Sequence, residues 1–456
     1  MPAGALRRIS TVAIAAAVVV AALLILFAGR PPSFPDDNVI LVSIDTLRAD
    51  HLGVYGYERE TSPEIDRFAR ESILFENCQS QSVSTLASHA SILTSQLLSH
   101  HGAFFTRNLA LPSDVPTIAG LLKGRGFRTA SFNDGGQIAP EFGLGRGFDV
   151  YEHMDKDFKI DNLNLERVVR AAGTWLERNG TAKFFLFLHT YETHAPYTPR
   201  PETLARFDAG YAGPLPPITS EDLIRRINQG EVKLSEADKA HIVATYDAEI
   251  RSMDASFGVL VKFLEAKGLL DRTILILTSD HGEEFGEHEL MATHSNTLFR
   301  EQVHVPLIIR LPGGKLGGRR AGDLVRSIDI APTIFALLGI DEPPSFEGLS
   351  LVPPMRGRRL SGSLFSISQR DMLETYRSEF WSITDGRWKL YNGRLYDLAS
   401  DPAERQDVSA SQPEIKDRLR RRAWRTLPPA NLREGLEPVR MSPELKERLK
   451  ALGYLK

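Results

Sequence analysis

Cysteine and net charge are both scarce in this sequence, and each absence removes a class of protein. Cys78 is the only cysteine among the 456 residues, so intrachain disulfides and zinc sites built from two or more cysteines are excluded. The 55 Lys and Arg residues nearly balance the 58 Asp and Glu residues, which leaves no electrostatic footprint for nucleic acid. Hydrophobic residues at 42% and charged residues at 25% are typical of a globular protein and exclude a disordered or coiled-coil chain.

One long apolar run lies near the amino terminus. Residues 11–29 carry no charge and would span about 28 Å as a helix, close to the thickness of a bilayer core. Arg7 and Arg8 precede the run and are expected to stay cytoplasmic. We predict that residues 1–30 are an uncleaved membrane anchor, because bulky side chains stand three positions before the available cleavage points. A cleaved signal peptide is the alternative. The rest of the chain is expected outside the cytoplasm, anchored in the periplasm or at the cell surface, or secreted after cleavage.

Strand and helix patterns alternate over residues 38–344. Short apolar runs predict buried strands, and amphipathic stretches predict the helices between them. The predicted strands are residues 38–44, 127–132, 183–189, 273–279 and 305–311, and the predicted helices are residues 85–98, 117–123 and 237–264. This alternation predicts an α/β fold with a large, mostly parallel sheet flanked by helices. Residues 31–37, PPSFPDD, precede the sheet as a predicted linker.

A different pattern follows residue 344. Asn392-Gly393 lies between two alternating runs, which is the strongest short signal for a β-hairpin. Residues 345–410 are therefore predicted to form a smaller antiparallel sheet subdomain, and residues 411–456 a helical tail. The basic stretch of the tail is interpreted as a solvated helix face. Ser442-Pro443 predicts the start of a last helix.

Polar residues follow three of the predicted strands. Asp45 follows the first strand, Asp280 and His281 follow the strand at residues 273–279, and His194 lies shortly after the strand at residues 183–189. Ligands of such sheets bind beyond the carboxyl ends of the strands. Asp45, Asp280 and His281 therefore predict a metal site. Mixed carboxylate and imidazole ligation suits Zn²⁺ or Mn²⁺, whereas Ca²⁺ prefers six or more oxygens.

A hydroxyl-rich turn over residues 82–94 enters a predicted helix. A hydroxyl at a helix amino terminus faces backbone N–H donors and the positive end of the helix dipole, which stabilise an alkoxide and an incoming anion. Simple capping of the helix is the alternative, because Ser and Thr are common N-cap residues.

Five motifs occur in a specific order along the chain. They are IDTLRADHLGVYGY from Ile44, TLASHASILTS from Thr85, HTYETHAPYTP from His189, SDHGEEFGEH from Ser279 and THSNTLFREQVHVPLII from Thr293. Together with RSIDIAPTIFALLGI, FEGLSLVP, DGRWKLY and LYDLASDPAE, they resemble the sulfatases of the alkaline-phosphatase superfamily. The resemblance covers about residues 38–408. It implies an extra-cytoplasmic hydrolase of sulfate or phosphate esters with its catalytic domain at residues 38–344.

The resemblance also assigns roles to the metal-site residues. Asp45 and Asp280 match the metal-binding aspartates of the family. His281 stands where many sulfatases have asparagine and where phosphoryl-handling relatives have a metal-binding histidine. Thr85 matches the cysteine that becomes formylglycine, and it is expected to act as the nucleophile and as a ligand of a single divalent metal ion, together with Asp45, Asp280 and His281. Zn²⁺ or Mn²⁺ is favoured, with Ca²⁺ and Mg²⁺ left open.

Three histidines complete the set that the resemblance implies, and two more histidines lie within its motifs. His194 and His294 match residues that contact the anionic group or the leaving oxygen of the substrate, so either is expected to protonate the leaving oxygen. His89 stands in the position of the family's arginine, and a charge-stabilising or positioning role is expected. His51 and His288 are expected to be structural or to support the ligands.

Several family features are absent from the sequence. The formylglycine signature Cys-x-Pro-x-Arg is missing, Thr46 replaces the usual second aspartate, and ASFNDGGQ replaces the element that grips sulfate. Cys78 is expected to be a small buried residue. Because a threonine adduct cannot expel sulfate by collapsing to an aldehyde, phosphoryl chemistry is favoured over ordinary sulfate hydrolysis.

Two other functions remain open at this stage. One is a membrane-anchored phosphotransferase that moves a phospho-alcohol head group to a lipid or glycan. The other is a catalytically dead module that binds a metal or an anion.

Overall fold

The computed structural model describes residues 32–154, 164–360, 365–371, 378–427 and 438–455. The strands in chain order are β1 (Asn38–Ile44), β2 (Ile73–Gln79), β3 (Arg128–Asn133), β4 (Val150–His153), β5 (Phe184–Thr190), β6 (Thr273–Ser279), β7 (Glu284–Phe285), β8 (Met291–Thr293), β9 (His304–Arg310), β10 (Arg319–Arg326), β11 (Ser366–Gln369), β12 (Trp381–Thr384), β13 (Trp388–Tyr391) and β14 (Arg394–Asp397). The helices are α1 (Pro63–Arg70), α2 (Thr85–Thr94), α3 (Leu98–His101), α4 (Ile118–Lys123), α5 (Asn164–Asn179), α6 (Pro201–Asp208), α7 (Glu221–Asn228), α8 (Glu236–Ala266), α9 (Arg300–Val303), α10 (Ile330–Leu338), α11 (Val352–Met355), α12 (Pro413–Thr426) and α13 (Pro443–Ala451).

Eight strands form one large sheet in the order β10-β2-β9-β6-β1-β5-β3-β4. Strand β9 is antiparallel to both of its neighbours, β2 and β6, and the other paired strands are parallel. The prediction of a large, mostly parallel sheet flanked by helices is therefore confirmed. The five predicted strands correspond to β1, β3, β5, β6 and β9, while β2, β4 and β10 carry more polar or exposed residues and were not predicted.

The sheet separates two hydrophobic cores because side chains alternate along each strand. In β1, Leu41 packs into one core with Ile334 of α10, and Ile40 packs into the other with Phe257 of α8. Every residue of β1, β5, β6 and β9 is buried, so the four central strands read as continuous apolar runs. A capping box at Ser235 fixes the start of α8, the long helix that covers the second face.

The predicted smaller sheet is formed by β11, β12, β13 and β14, all antiparallel. Asn392 and Gly393 connect β13 and β14 with φ of 48° and 73°, the left-handed conformation that favours Asn-Gly in two-residue hairpins. The helices of the predicted tail pack on different cores. Leu419 of α12 lies in the core of the small sheet, and Leu449 of α13 lies in a core of the large sheet.

The predicted membrane anchor or signal segment, residues 1–30, lies outside the described residues. Within the part of the chain that the structure describes, no helix has the length and apolar character needed to cross a membrane. In the predicted linker, Phe34 is buried, and its N–H donates to the Leu337 carbonyl at 2.6 Å. The chain is thus attached to the large domain from Phe34 onward.

Candidate active site

Two aspartates meet at the carboxyl ends of β1 and β6. Asp45 directly follows β1 and Asp280 directly follows β6, and the parallel strands are in register through Ile44 and Ser279. Both aspartates are fully buried. They therefore lie at the sheet edge where the sequence predicts the site.

Three buried ligand atoms in this cluster lack a hydrogen-bond partner among the described residues. They are Oδ1 of Asp45, Oδ2 of Asp280 and Nε2 of His281. The three residues offer ligand atoms that all lie within 4.8 Å of one another. The Nδ1 of His281 lies 3.0 Å from the Gly282 carbonyl, and donation from Nδ1 leaves Nε2 with a lone pair for a metal. The donor set fits one divalent cation.

The charge of the cluster also fits a cation. Burial raises the pKa of Asp45 to about 7 and also raises the pKa of Asp280. A bound cation would compensate these carboxylates and lower both pKa values.

The Thr46 backbone has φ of 54°, a conformation that is rare for a β-branched residue, and its N–H points to Asp280 Oδ1 at 3.3 Å.

Thr85 is the first residue of α2 and lies beside the two aspartates. Its Oγ1 donates to Asp45 Oδ2 at 3.2 Å. Ser84 occupies the N-cap position, but its side chain makes no capping hydrogen bond. Gln137 Oε1 instead accepts from the Leu86 N–H at 3.0 Å. The alternative of simple capping is therefore wrong for this turn, and the Thr85 hydroxyl faces the predicted metal ligands.

His89 lies one helical turn after Thr85 and is fully buried. Its Nδ1 donates to the Thr85 carbonyl at 2.8 Å, and its Nε2 lies 2.9 Å from Ser43 Oγ. Burial lowers the pKa of His89 to about 3, so the imidazole is neutral. This geometry favours a positioning role for His89 over a positive charge that replaces the family's arginine.

His189 is a neighbour of this cluster that the sequence analysis did not select. Its Nε2 lies 3.4 Å from Asp45 Oδ2, and its ring lies 4.7 Å from the His89 ring. His89, His189 and Asp280 form a second group with ligand atoms within 4.8 Å of one another. The sequence signal that could have identified His189 is its position near the end of β5, where a buried histidine faces the site.

His194 and His294 face each other across the pocket, with ring centroids 5.0 Å apart. The Nδ1 of His294 lies 3.1 Å from Glu283 Oε1, and the Nδ1 of His194 donates to the Ala195 carbonyl. Both imidazoles therefore present Nε2 to the pocket. Burial lowers the pKa of His294 to about 4 and also lowers the pKa of His194.

Tyr454 is a further residue that the sequence analysis missed. Its hydroxyl lies 3.1 Å from Thr85 Oγ1 and 2.8 Å from His194 Nε2. Tyr454 stands more than 250 residues after both partners in the sequence, and no motif marks it. Only the packing of α13 against the large domain shows its proximity.

The two histidines expected to be structural lie at the border of the site. His51 Nδ1 bonds to Asp247 Oδ1 at 2.8 Å. His288 Nδ1 bonds to Glu301 Oε1 at 2.9 Å. Neither belongs to the groups of described residues that could hold a metal ion. Cys78 is buried, as predicted.

A family model described as "Sulfatase" matches residues 37–340, the span that contains Asp45, Thr85, Asp280 and His281. The chain belongs to the sulfatase family. A second model, "N-sulphoglucosamine sulphohydrolase, C-terminal", matches residues 286–426 of this sulfatase. The predicted family is therefore confirmed.

Curated relatives of this sulfatase are distant in sequence. The ulvan-active sulfatase of Formosa agariphila is 26% identical over 337 residues, which cover 69% of this chain and 64% of that protein. The N-acetylglucosamine-6-O-sulfatase of Bacteroides thetaiotaomicron is 23% identical and covers 81% of this chain and 82% of that protein. The chain thus spans less than two thirds of the length of the first of these relatives.

Solved structures share the fold. BT4656 in complex with its substrate D-glucosamine-2-N,6-O-disulfate has a TM-score of 0.71 at 20% identity, covering 86% of this chain and 97% of that chain. The phosphonate monoester hydrolase of Agrobacterium radiobacter has a TM-score of 0.68 at 20% identity, covering 89% of this chain and 100% of that chain. These similarities confirm the predicted sulfatase-like fold.

Proposed function

We propose that this sulfatase-family protein is a metal-dependent hydrolase of sulfate or phosphate esters, with Thr85 as its nucleophile and a preference for phosphoryl groups. One observation carries the proposal. The Thr85 hydroxyl at the start of α2 contacts Asp45, and Asp45 belongs to the buried group whose unpaired ligand atoms converge on one point. A nucleophile, a helix amino terminus and a cation site thus share one pocket.

The residues of the chain divide the chemistry between them. Asp45, Asp280 and His281 would hold the cation, which when bound supplies Lewis-acid activation and charge neutralisation. Thr85 Oγ attacks phosphorus or sulfur in line, and its proton points to Asp45 Oδ2. His294 is proposed as the acid, because Glu283 Oε1 lies 3.1 Å from its Nδ1 and orients the ring, which leaves Nε2 to donate a proton to the leaving oxygen. The ester oxygen leaves as an alcohol with the proton from His294. Water then gives a proton to the neutral His294 and attacks the adduct, the bond to Thr85 Oγ breaks, and Thr85 regains its proton from Asp45 as the phosphate or sulfate product leaves.

The preference for phosphoryl groups depends on the nucleophile. Formylglycine releases sulfate by reverting to an aldehyde, and threonine has no such route. A phosphorylated threonine can be cleaved by a second in-line attack at phosphorus. Two relatives support this direction, because their names describe a phosphonate monoester hydrolase and the multifunctional alkaline phosphatase superfamily protein PehA.

Other parts of the proposal rest on the sequence and on relatives. Zn²⁺ or Mn²⁺ is proposed as the cation because two carboxylates and one imidazole form a mixed donor set. A glycan ester is proposed as the substrate because relatives are named for ulvan and for N-acetylglucosamine-6-O-sulfate. The extra-cytoplasmic location and the anchor at residues 1–30 also remain proposals.

The test is turnover by the full chain loaded with Mn²⁺ or Zn²⁺. The substrates are 4-nitrophenyl sulfate, 4-nitrophenyl phosphate and bis(4-nitrophenyl) phosphate, each with wild type, Thr85→Ala and Thr85→Ser. We expect a phosphate ester to be cleaved fastest, a loss of about 10³-fold or more in Thr85→Ala, and partial activity in Thr85→Ser. Preferred sulfate cleavage would contradict the phosphoryl preference. Full activity in Thr85→Ala would contradict the nucleophile.

A further inference from the structure

The last helix of the chain ends at the catalytic pocket. The Gly453 N–H donates to the Lys450 carbonyl at 2.9 Å, and the Tyr454 N–H donates to the Leu449 carbonyl at 2.8 Å. Gly453 has φ of 76°. These two bonds and the left-handed glycine form a Schellman motif, which stops α13 and turns the chain away from the helix axis. Tyr454 is the first residue after this turn.

Close packing holds the turn against the pocket. Leu449 of α13 is fully buried in a core of the large sheet. A Cβ atom at Gly453 would lie 2.5 Å from the Glu221 carboxylate, and any residue at this position would have to adopt a φ of 76°, so glycine is favoured here. A Cβ atom at Gly136 would lie 2.9 Å from Leu452 Cδ1. Glycines at positions 453 and 136 therefore allow the segment Leu452–Tyr454 to pack closely against its surroundings.

The Tyr454 hydroxyl bridges the nucleophile and a pocket histidine. It lies 3.1 Å from Thr85 Oγ1 and donates to His194 Nε2 at 2.8 Å, because the His194 Nδ1 proton is used by the Ala195 carbonyl. The ring packs against Phe105, with centroids 5.6 Å apart. The sulfate or phosphate group that Thr85 attacks must lie about 3–3.5 Å from the nucleophile, which is the distance at which the phenol oxygen stands. The phenol and the substrate therefore compete for one position.

Access to the nucleophile leads to the same conclusion. Thr85, Asp45, Asp280 and His281 have no exposed surface. A cavity of about 150 Å³ lies beside them, and Tyr454 forms part of its wall together with Glu221, Glu283 and His294. A substrate can reach Thr85 only if part of this wall moves. The wall segment nearest the carboxyl terminus is Leu452–Tyr454.

We propose that Tyr454 is an internal ligand of the catalytic pocket, which occupies the position of the substrate's anionic group and sets the affinity for substrate. This inference rests on the proposed function of the same pocket. Substrate binds when Tyr454 withdraws, so the residue acts on KM rather than on the chemical step.

The kinetic test compares Tyr454→Ala and Tyr454→Phe with wild type in the metal-loaded full chain. A chain that lacks only Leu455 and Lys456 is the control, because it keeps Tyr454. We expect KM to fall about tenfold in Tyr454→Ala and about threefold in Tyr454→Phe, with kcat within about twofold, because one or two net hydrogen bonds are removed from the competing state. A fall in kcat at unchanged KM would overturn the proposal and assign Tyr454 to the chemical step.

A second measurement does not depend on turnover. 3-Fluorotyrosine at position 454 of the metal-loaded chain gives one fluorine signal, and inorganic phosphate is titrated while its binding is followed by calorimetry. We expect phosphate to move the signal to that of a solvated tyrosine and to bind about tenfold more tightly to Tyr454→Ala. Phosphate that binds both proteins equally, or leaves the signal unchanged, would overturn the proposal. Phosphate that binds neither would overturn it as well. A normal displacement without hydrolysis of any ester would contradict only the proposed function.

Discussion

Two groups of buried carboxylates in this protein differ in how their charge is satisfied. Asp247 of α8 accepts from His51 Nδ1 at 2.8 Å, from the Tyr57 hydroxyl at 2.7 Å and from Arg59 Nη1 at 2.9 Å. Asp45 and Asp280 are equally buried. Their described neighbours supply hydroxyls, backbone N–H groups and imidazoles but no Arg or Lys side chain, and one oxygen of each stays unpaired.

The difference separates a structural carboxylate from a functional one. An unpaired buried charge costs several kcal/mol (about 2–5), and the proposed cation would offset this cost for the two carboxylates. Asp247 has its cation within the chain, in Arg59. Burial alone therefore does not identify the site, whereas two buried carboxylates side by side, each with an unpaired oxygen, indicate it.

Removing the charge of one proposed metal ligand should have the largest effect, and it tests whether Asp45 and Asp280 differ from Asp247. Asp280→Asn keeps the side-chain shape and an oxygen that can accept from the His281 N–H, now at 2.8 Å. We expect metal affinity to fall by about 10²-fold or more and turnover by about 10³-fold or more, because one anionic ligand is lost. Metal content by plasma mass spectrometry and initial rates check this. Unfolding of the metal-free variant is the control, and it should be no easier than for wild type.

A variant that binds metal and turns over normally would contradict this prediction. Asp280 would then be a buried carboxylate of the same structural kind as Asp247, and the assignment of the metal site would be wrong.

Much of this site could be predicted from the sequence because its residues follow strands. Asp45 and Asp280 end apolar runs that can only be central strands, and parallel strands bring their carboxyl ends to one edge. Thr85 was selected through the resemblance and through its helix start. His189 and Tyr454 were missed for physical reasons. His189 lies inside an apolar run, where a histidine reads as a core residue, and Tyr454 reaches the site only through tertiary packing of α13.

The fold, like the site, was predicted from the sequence only in part. The continuous apolar runs identified β1, β5, β6 and β9, but a run does not record strand direction, and β9 proved antiparallel to its neighbours. β2 was missed because Glu76 and Asn77 interrupt its apolar pattern with less buried residues. Edge positions such as β4 and β10 are partly exposed, so their pattern does not differ from that of loops.

The next largest effect concerns the satisfied carboxylate. Asp247→Asn removes the charge that pairs with Arg59 and His51. We expect the free energy of unfolding to fall by about 2 kcal/mol, with metal content and kcat unchanged. Urea unfolding and metal analysis check this. Glu236→Gln on the same helix is the matched control, because Glu236 is 90% exposed and its pair with Lys239 is worth under about 0.5 kcal/mol. A loss of metal in Asp247→Asn would contradict the distinction between the structural Asp247 and the proposed metal ligands Asp45 and Asp280.

The stability of the metal-free protein should also depend on pH, with a change no larger than that expected for Asp247→Asn. Burial raises the pKa of Asp45 to about 7 and that of Glu283 to about 8. A raised pKa in the folded state means that stability is fully present below the ordinary carboxyl pKa and is lost as pH rises through the folded value. We therefore expect the chelated protein to lose about 2 kcal/mol of unfolding free energy between pH 7 and pH 9, because the buried histidines no longer titrate in either state above about pH 7.

Mn²⁺ should reverse this loss, since metal binding releases the same protons. Urea unfolding at several pH values, with chelator or with Mn²⁺, measures the difference. The slope should flatten in Asp45→Asn. A chelated wild-type protein whose stability rises between pH 7 and pH 9 would show that these carboxylates are not the unpaired group of the comparison.

The smallest effect concerns His288, which lies near the site but has its own partners. Its Nδ1 bonds to Glu301 at 2.9 Å, and its ring stacks on Phe299 with centroids 3.5 Å apart. Burial acts to lower the pKa of His288, but the Glu301 carboxylate outweighs burial and raises it. The stabilising charge pair is therefore complete below the ordinary histidine pKa and weakens as pH rises. We expect His288→Gln to cost about 0.5–1 kcal/mol at pH 5.5 and less at pH 8, with kcat and metal content unchanged. If His288→Gln instead reduces metal content, His288 supports metal binding. The functional group of residues then includes more than Asp45, Asp280 and His281.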